Sequence, residues 1–304
     1  MKVIKKHWLK VVSLALVIVI SVFVFSVCFK KVNDFKVNLE QQKDLEIYSI
    51  WHIETFEGGG KSRIDYLKKI ARDIEKQNPN ILFMIKQINP QSLDSELEIS
   101  KPDIISFGYG VGSSILPILN SFNTTYNVRD ELIESGSFNK KLCAIPYIVS
   151  GYSIFTHSNE SNIFHCGQTG FTKPETIYNE LNLTLTENET QYDAYKDFVY
   201  NKKVKLLGTA RDLFRINNLN NIGRTNAMIT PIDTYTDLIQ YIGITKTDEV
   251  TKLFIEKTLS SEYQQTLTDY SLFSSLYNKL YYDGIYNEME DAIMSAKIPN
   301  VFND

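Results

Sequence analysis

The stretch "WHIETFEGGGKSRIDYLKKIARDIEK", residues 51–76, carries the pattern that decides the fold. A mostly apolar run, residues 45–51, leads into it and predicts a β-strand. A polar turn with three consecutive glycines follows, and then a helix for which Ser62 is a suitable N-cap. The apolar residues of that helix fall on one face: Ile64, Leu67, Ile70, Ala71 and Ile74. A strand, a glycine turn and an amphipathic helix in this order predict the opening unit of an α/β protein.

The glycine turn resembles a nucleotide-binding loop but fails its spacing. The motif G-x-x-x-x-G-K-[ST] needs a glycine five positions before Gly60, and Thr55 stands there. Two interpretations remain open. The turn can hold another ligand, since α/β sheets bind ligands at the carboxyl ends of their strands, or it can serve only the fold.

The N-terminus has the pattern of a membrane-targeting segment. Four lysines lie within residues 1–10, and residues 11–29 form an uncharged run rich in Val, Ile, Leu and Phe. Such a run is long enough to span a bilayer, and the lysines before it keep the N-terminus cytoplasmic. We therefore predict a signal or anchor segment (1–30), a tether (31–44) and an ectodomain on the extracytoplasmic side of the cell membrane.

Cys28 offers a second way of anchoring the chain. Ser26-Val27-Cys28 resembles a bacterial lipobox, although Val27 stands where that motif has a small residue. An uncleaved anchor, a lipid on Cys28 and a freely secreted product remain alternatives. Cys28 can also be one more apolar residue of a membrane helix.

Composition argues against several classes of protein. A net charge of −4 and a pI of about 5.7 give no reason to expect a nucleic-acid partner. Outside the membrane segment the cysteines are Cys143 and Cys166, which fit two buried thiols better than a disulfide framework. The four histidines are scattered without H-E-x-x-H or C-x-x-C spacing, so we expect no metal site and no cofactor. No G-x-S-x-G nucleophile motif is present.

Beyond the first unit, strands alternate with helices. Apolar runs at residues 81–88 and 103–108 predict buried strands, and the helices between them predict a parallel sheet. Residues 142–156 form a long extended stretch. Pro146 disfavours a regular central strand there, so we expect the stretch to bend near Pro146 and Gly151 and to pass into another subdomain.

The second half of the chain continues the alternation. A strand is predicted at residues 204–208, and two extended pieces lie around Pro231. Further helices are predicted after Pro174, over residues 191–202 and from Thr247 onward.

Seven segments, in this order, resemble the extracellular solute-binding proteins of bacterial ABC importers, in particular the family 1 sugar-binding type. They are "YSIWHIETFEGG", "KPDIISFG", "KKLCAIPYIVSGYSIFTH", "FTKPETIYNEL", "VKLLGTARDLFRI", "YTDLIQYIGIT" and "KLFIEKTLSSEYQQTL", and together they span most of residues 45–270. The resemblance implies a two-lobed α/β fold of the periplasmic-binding-protein-like type II, closing over a ligand held in the cleft. Little sequence separates "PETIYNEL" from "VKLLGTARD", which predicts a shortened second lobe.

The resemblance also implies that the lobes are discontinuous. We predict residues 45–147 and 231–262 in lobe 1, and residues 148–230 and 263–304 in lobe 2. Crossings between the lobes are expected at residues 147–153 and around Pro231.

The candidate ligand-binding residues lie at the predicted cleft edge. Sugar recognition uses aromatic faces against C–H patches and charged or amide groups on hydroxyls. The candidates are Trp51, Glu54, Glu57, Phe107, Tyr109, Tyr147, Tyr152, Arg211 and Asp212. Trp51 can instead be a core residue, the glutamates can be solvated turn residues, and Arg211 with Asp212 can form a structural ion pair at a helix start.

Three functional classes fit the sequence to different degrees. The leading one is a non-catalytic, monomeric binding protein that delivers a small solute, a sugar, to the membrane permease of an ABC importer. The second is a membrane-anchored sensor or interaction module of the same fold. The third, a glycosidase using Glu54 and Glu57, is the weakest, because two residues on one flexible turn fix the required carboxylate separation poorly.

Overall fold

The computed structural model describes residues 16–24, 45–124, 126–157, 164–165, 171–184, 190–202 and 204–303. The chain divides into two units, residues 1–46 and residues 47–304. In the first unit, residues 16–24 are helical and exposed.

Among the described residues, no helix combines the length and the apolar character needed to cross a bilayer. The membrane segment stays a prediction. Cys28, Cys166 and the predicted tether lie outside the described residues. Cys143 is buried as a free thiol, and burial raises its pKa.

Strands and helices alternate along the rest of the chain. The strands are β1 (Glu46–Ile53), β2 (Ile81–Ile88), β3 (Ile104–Gly108), β4 (Ser137–Phe138), β5 (Lys141–Leu142), β6 (Ile145–Val149), β7 (Tyr152–Thr156), β8 (Phe164–His165), β9 (Lys205–Thr209), β10 (Met228–Pro231), β11 (Ile239–Ile244) and β12 (Phe273–Ser274). The helices are α1 (Arg63–Gln77), α2 (Leu93–Ile99), α3 (Gly112–Ile115), α4 (Asp130–Ser135), α5 (Glu175–Leu181), α6 (Gln191–Lys196), α7 (Ala210–Asn221), α8 (Glu249–Thr258), α9 (Ser261–Gln265) and α10 (Gly284–Ser295). The predicted strands at residues 81–88 and 103–108 are confirmed as β2 and β3.

Helix α1 forms where the apolar spacing predicts it. Ser62 is the N-cap in extended conformation, although its side chain makes no capping hydrogen bond, and Asp65 lies in the first turn. The buried face of the helix consists of Arg63, Ile64, Tyr66, Leu67, Ile70, Ala71 and Ile74. Apolar spacing thus positions α1, and the same face buries one charged residue, Arg63.

The larger sheet is mixed. Its described strands have the order β12-β6-β11-β3-β1-β2. β1 runs parallel to β3, with His52 beside Ser106, whereas β11 is antiparallel to both β3 and β6. The predicted parallel arrangement is confirmed for β1 and β3, but the sheet as a whole is mixed. A helical crossover keeps successive strands parallel, but β11 reaches this sheet through the extended segment 232–238, which imposes no such direction.

The predicted interruption at Pro146 is wrong. β6 runs through Pro146 between β12 and β11. Tyr241 pairs with Pro146 and Gln240 pairs with Ile148, so the register shifts at this point. A bulge of this kind accommodates a residue that has no N–H to donate, and the strand continues. The chain leaves the sheet later, at Gly151.

The smaller sheet has the described order β10-β7-β9-β8. β7 is antiparallel to both β10 and β9, and Tyr152 lies opposite Thr209. β8 and β9 are parallel. The chain enters this sheet after β6 and leaves it after β10, so the smaller sheet is an insertion between strands of the larger one.

Two extended segments join the sheets and lie against each other. The first is Ser150–Gly151 and the second is residues 232–238. Ser150 N donates to Leu238 O at 2.8 Å, and Thr236 Oγ1 donates to Ser150 O at 2.8 Å. A Cβ at Gly151 would lie 2.8 Å from Ile293 Cγ1 of α10, so this crossing has room only for glycine. These crossings lie where a hinge between two lobes is expected.

The strand β12 lies in the larger sheet. It belongs to residues 263–304, and Phe273 pairs with Val149. After the second crossing the chain therefore returns to the larger sheet also beyond residue 262. The lobe boundaries remain predictions.

Within the described ranges, buried apolar residues form a main cluster and a smaller one. The main cluster includes the large-sheet interior and its helices. The smaller cluster consists of Phe56, Tyr152, Ile177, Tyr178, Leu207, Ile232, Tyr235 and Leu238. It lies beside the small sheet and the second crossing.

Candidate functional site

Loops from the two sheets meet at the carboxyl ends of β1 and β3. From the large sheet come residues 54–60 after β1 and residues 109–110 after β3. From the small-sheet side come residues 171–173 and the first turn of α7. We call this contact region the seam. Carboxyl ends of parallel strands are the usual ligand-binding edge of an α/β sheet, so the seam is the candidate site.

An ion pair crosses the seam. Arg211, in the first turn of α7, donates through Nη1 to Glu57 Oε2 in the loop after β1. The side chains of Arg211 and Glu57 are 32% and 50% exposed. The structure thus brings together two predicted site residues, and both remain accessible to a solute.

Tyr109 takes part in a second contact across the seam. Lys173 Nζ donates to Tyr109 Oη at 2.9 Å and lies 5.1 Å from the centre of the Tyr109 ring. Next to it, Gly110 has a φ of +90°, and a Cβ there would lie 2.7 Å from Phe171 O. Gly110 therefore allows a close backbone approach between the two sides of the seam.

Tyr152 is held by a carboxylate of the second crossing. Its hydroxyl donates to Asp237 Oδ1 at 2.8 Å, and Asp237 Oδ2 accepts from Lys173 N at 2.5 Å and from Tyr235 Oη at 3.4 Å. Burial raises the pKa of Asp237, although these hydrogen bonds oppose the shift. Asp237 therefore connects Tyr152 of β7, Tyr235 of the second crossing and Lys173 in the segment before α5.

Beneath the seam lies a buried chain of polar side chains. Glu54 Oε1 is 3.1 Å from His52 Nε2, and His52 Nδ1 is 2.9 Å from Ser106 Oγ. Ser106 Oγ also contacts Tyr147 Oη at 2.8 Å and accepts from Gln240 Nε2 at 2.9 Å. Burial lowers the pKa of His52, so the ring is neutral near pH 7. A neutral ring that donates to Glu54 and accepts from Ser106 gives every proton in the chain an acceptor.

Arg63 joins this chain to the loop after β1. Its side chain is buried, its Nη2 donates to Phe56 O at 2.6 Å, and its Nε lies 3.5 Å from Glu54 Oε1. Burial lowers the pKa of Arg63. Burial also raises the pKa of Glu54, but the hydrogen bond from His52 and the charge of Arg63 outweigh it and bring that pKa down to about 2.

Several buried polar atoms here make no hydrogen bond to any described residue. They are Thr55 Oγ1, Arg63 Nε, Arg63 Nη1 and Gln240 Oε1. All three side chains belong to, or donate to, the segment 53–56, since Gln240 Nε2 donates to Ile53 O at 3.0 Å. A buried unpaired polar group costs about 1–3 kcal/mol. Other described residues leave such atoms too, among them Arg129 Nε, His157 Nδ1 and Ser275 Oγ.

Three predicted aromatic contacts lie in the interior instead. Trp51 is 4% exposed within the main cluster, and Phe107 packs between Tyr241 and Phe302. Tyr147 is fully buried and stacks on Tyr66, with ring centroids 6.0 Å apart. This placement favours the core alternative for Trp51, while Tyr147 borders the seam only through its hydroxyl.

Asp212 has a structural partner. Its Oδ2 accepts from Thr209 N at 3.0 Å, which completes a capping box at the start of α7, and the side chain is buried. This arrangement favours the helix-start alternative for Asp212. Its predicted partner Arg211 points to Glu57 instead.

The carboxylates of the hydrolase hypothesis each have their own cationic partner. Glu54 lies beside Arg63, and with a pKa of about 2 it carries no proton to donate near pH 7. Glu57 pairs with Arg211. Ser106, His52 and Glu54 form a hydroxyl-imidazole-carboxylate chain, but Ser106 is fully buried and out of reach of a substrate. No cluster of His, Cys, Asp or Glu able to hold a metal ion occurs in the part of the chain that the structure describes.

Sequence inspection missed Phe56, Arg63, Lys173 and Asp237. Arg63 lies on the apolar face of α1, one residue after the N-cap, where a charged residue is unusual. Asp237 directly precedes the apolar residues Leu238 and Ile239 and follows the polar stretch DTYT. A charge within an otherwise apolar pattern is the sequence feature that could have indicated Arg63.

No family model matches the chain, and no curated protein matches it in sequence. Solved structures do share its fold. The GacH receptor of Streptomyces glaucescens GLA.O, solved unliganded and with acarbose, has a TM-score of 0.58 at 10% identity, over 83% of this chain and 87% of its own. The extracellular solute-binding protein of Staphylococcus aureus in complex with maltose has a TM-score of 0.56 at 12% identity, over 84% and 87%.

A third similar structure is the cyclic α-maltosyl-1,6-maltose binding protein of Arthrobacter globiformis. It has a TM-score of 0.59 at 9% identity, over 84% of this chain and 89% of its own. The chain therefore has the fold of extracellular solute-binding proteins, as the sequence resemblance predicts.

Proposed function

We propose that this protein is the extracytoplasmic solute-binding component of an ABC importer and that it binds a small carbohydrate between its two sheets. The observation that carries the proposal is the fold, shared over more than four fifths of the chain with three proteins whose ligands are acarbose, maltose and cyclic α-maltosyl-1,6-maltose. The protein is a binding protein and not an enzyme in this proposal, and it acts as a monomer.

The chemistry of the seam supports a hydroxyl-rich ligand. Glu57 and Arg211 are partly exposed on opposite sides of it. Glu54 is 31% exposed and ionised, so it can accept hydrogen bonds from hydroxyls. Tyr109 and Tyr152 are buried, with 3% and 2% of their surface exposed, and their hydroxyls are hydrogen-bonded to Lys173 and Asp237. The partly exposed charged groups suit a hydroxyl-rich solute better than an apolar one.

The proposed place of action is the outer face of the cell membrane. The lysine-rich start and the apolar run of residues 11–29 support an N-terminal anchor, with Cys28 as an alternative lipid attachment site. The partners in this proposal are the solute and the membrane-spanning permease of the importer. Replacing Cys28 by Ser separates the two anchors, since membrane retention without lipid labelling would reject the lipid attachment.

A thermal-shift screen of the purified full chain in detergent tests the proposed function. Maltose, maltotriose, acarbose and monosaccharides are compared with amino acids and phosphate esters. A ligand at a hundred times its Kd stabilises the folded state by about 2.7 kcal/mol. Glu57→Gln and Arg211→Gln should weaken the response to the bound saccharide, whereas Glu249→Gln on the exposed face of α8 should leave it unchanged. No response to any saccharide would reject the carbohydrate assignment.

A membrane-anchored sensor or interaction module of the same fold is the second candidate. The contacts across the seam through Glu57 and Arg211, and through Tyr109 and Lys173, favour it, because side chains of the protein itself join the two sheets. A saccharide response without transport in a permease-reconstituted vesicle would support this candidate over the importer component.

A further inference from the structure

Phe56 extends from the loop after β1 into the smaller apolar cluster. The other members of that cluster come from β7, α5, β9 and the second crossing. Phe56 is 3% exposed, so its ring is almost completely enclosed, by this cluster and by Arg63 of α1. Among the described residues, it is the one member of this cluster that comes from the large-sheet loops at the seam.

The loop is shaped to hold the ring in this place. The Arg63 guanidinium carbon lies 4.0 Å from the ring centre, and Arg63 Nη2 donates to Phe56 O. A Cβ at Gly58 would lie 2.8 Å from Phe56 Cε2, so the missing side chain of Gly58 leaves room for the ring. Gly59 has a φ of +75°, and Gly60 N donates to Tyr270 O at 2.7 Å, which fixes the far end of the turn. The three glycines therefore shape a turn that places the Phe56 ring against Arg63.

The ring lies against a guanidinium whose hydrogen bonds are incomplete. Arg63 Nη1 is buried and makes no hydrogen bond to the described residues, whereas Arg63 Nε lies 3.5 Å from Glu54 Oε1. Two further buried atoms of this region, Thr55 Oγ1 and Gln240 Oε1, also make no hydrogen bond to the described residues. A polyhydroxylated solute offers donors and acceptors to such groups, which the phenyl ring cannot do.

We propose that Phe56 is a plug that the protein inserts into its own cleft, so that the two sheets stay closed without a solute and a solute enters by displacing the ring. The second half of this statement rests on the proposed function, but the first half does not. The contacts of Glu57 with Arg211 and of Lys173 with Tyr109 flank the plug and keep the loops in register across the seam. The unpaired donors and acceptors provide the gain that a polar solute needs in order to replace the ring.

The closed state can be measured without any ligand by electron spin resonance distance measurement. Spin labels are attached at Ile99→Cys on the large-sheet side and at Met228→Cys in β10, both of them exposed positions. The background is the full chain in detergent, with Cys28, Cys143 and Cys166 replaced by alanine. The protein with Phe56 intact should give a single narrow distance distribution, and Phe56→Ala should shift it to longer and broader distances.

Two further variants make the result specific. Ile177→Ala removes a fully buried residue of the same cluster from the small-sheet side, so it should lower stability without changing the distances. Phe56→Leu keeps an apolar side chain but loses the ring over Arg63, and should broaden the distribution partly. If Phe56→Ala does not accumulate as folded protein, Phe56→Leu tests whether the ring holds the two sheets closed. Unchanged distances in the folded Phe56 variants would overturn the plug.

An affinity measurement separates the plug from the proposed function. If the ring competes with the solute, Phe56→Ala should bind the saccharide found in the thermal screen at least about fivefold more tightly, the lower end of typical coupling between two equilibria. Weaker binding would overturn the plug, because Phe56 would then be a contact of the solute itself. If no saccharide binds but the distances lengthen in Phe56→Ala, the plug stands and the carbohydrate assignment fails.

Discussion

The interior of the large sheet and the polar chain beneath the seam are both buried but are built from different chemistry. In the interior, Phe107 stacks on Tyr241 with ring centroids 6.0 Å apart, and Tyr241 Oη is hydrogen-bonded to Ser135 Oγ at 2.8 Å. Beneath the seam, Arg63 and Gln240 are as deeply buried, and Arg63 Nη1 and Gln240 Oε1 have no hydrogen-bond partner among the described residues. Aromatic packing and a neutral hydrogen bond hold the interior, whereas the region beneath the seam buries a charged side chain.

Trp51 tests the interior side of this comparison and should give the largest effect. Its side chain is almost fully enclosed in the main cluster, so Trp51→Ala should lower the free energy of unfolding by about 3–5 kcal/mol. Urea denaturation followed by circular dichroism measures this change. Trp51→Phe keeps most of the volume and should lower it less.

The same variants decide whether Trp51 also belongs to the site. Trp51 is one of two tryptophans, the other being Trp8, so the substitution Trp8→Phe in the full chain makes indole fluorescence report on Trp51 alone. An indole that responds to unfolding but not to a saccharide agrees with a core residue. A folded Trp51→Ala protein of nearly unchanged stability and greatly weakened saccharide binding would move Trp51 from the interior to the seam.

A pair of tyrosines compares hydrogen bonds in the two regions directly. Tyr241 donates to or accepts from neutral Ser135, and Tyr152 donates to the carboxyl group of Asp237. Tyr152→Phe should therefore lower the free energy of unfolding by about 1.5–3 kcal/mol, and Tyr241→Phe by about 0.5–1.5 kcal/mol. Equal losses measured by urea denaturation at pH 7.5 would mean that the hydrogen bond of Tyr152 to Asp237 is no stronger than that of Tyr241 to Ser135.

Sequence predicted the interior better than the seam for a physical reason. The runs that became β2 and β3 are bounded by polar residues, so composition alone located them. Burial on both faces of β3 removes the alternation that would tell a cleft-facing aromatic from a core one, and this hid the place of Phe107. The partners at the seam are far apart in sequence: Glu57 and Arg211 are separated by 154 positions and Tyr152 and Asp237 by 85. These partners come together because the chain crosses twice between the sheets, and a local sequence pattern does not indicate contacts between such distant positions.

The polar chain beneath the seam should make stability depend on pH. The pKa of Glu54 is lowered from 4.5 to about 2, so its contribution is complete above pH 4.5 and is lost as pH falls through 2. The pKa of His52 is lowered by burial, so protonation also opposes folding as pH falls below 6.5. Solvent screens part of the Glu54 effect, since that side chain is 31% exposed. We expect this pH-dependent loss in the free energy of unfolding to be smaller than the loss caused by Tyr152→Phe.

Urea midpoints between pH 8 and pH 3 measure this dependence. The free energy of unfolding should fall steadily below pH 6.5, and the double variant His52→Asn with Glu54→Gln should flatten the part that these groups supply. In the double variant Arg63 loses Glu54 as its charge partner, so the two proteins are compared by the slope of the free energy of unfolding with pH and not by its absolute value. An equal slope in the parent and the double variant would show that the polar chain does not titrate as its geometry implies.

The ion pair across the seam should give the smallest effect, and its size decides what holds the seam closed. Glu57 and Arg211 are partly solvated, and exposed pairs typically contribute about 0.2–1 kcal/mol. A double-mutant cycle with Glu57→Gln and Arg211→Gln should therefore give a coupling energy in that range, which falls as sodium chloride is raised toward 1 M. The exposed pair of Lys252 and Glu249 on α8 serves as the control and should couple no more strongly. A coupling energy above about 2 kcal/mol that survives high salt would mean that charge, and not the Phe56 ring, joins the two sheets. The seam would then open by ion-pair exchange with a charged solute, and a neutral sugar would lose its advantage as the ligand.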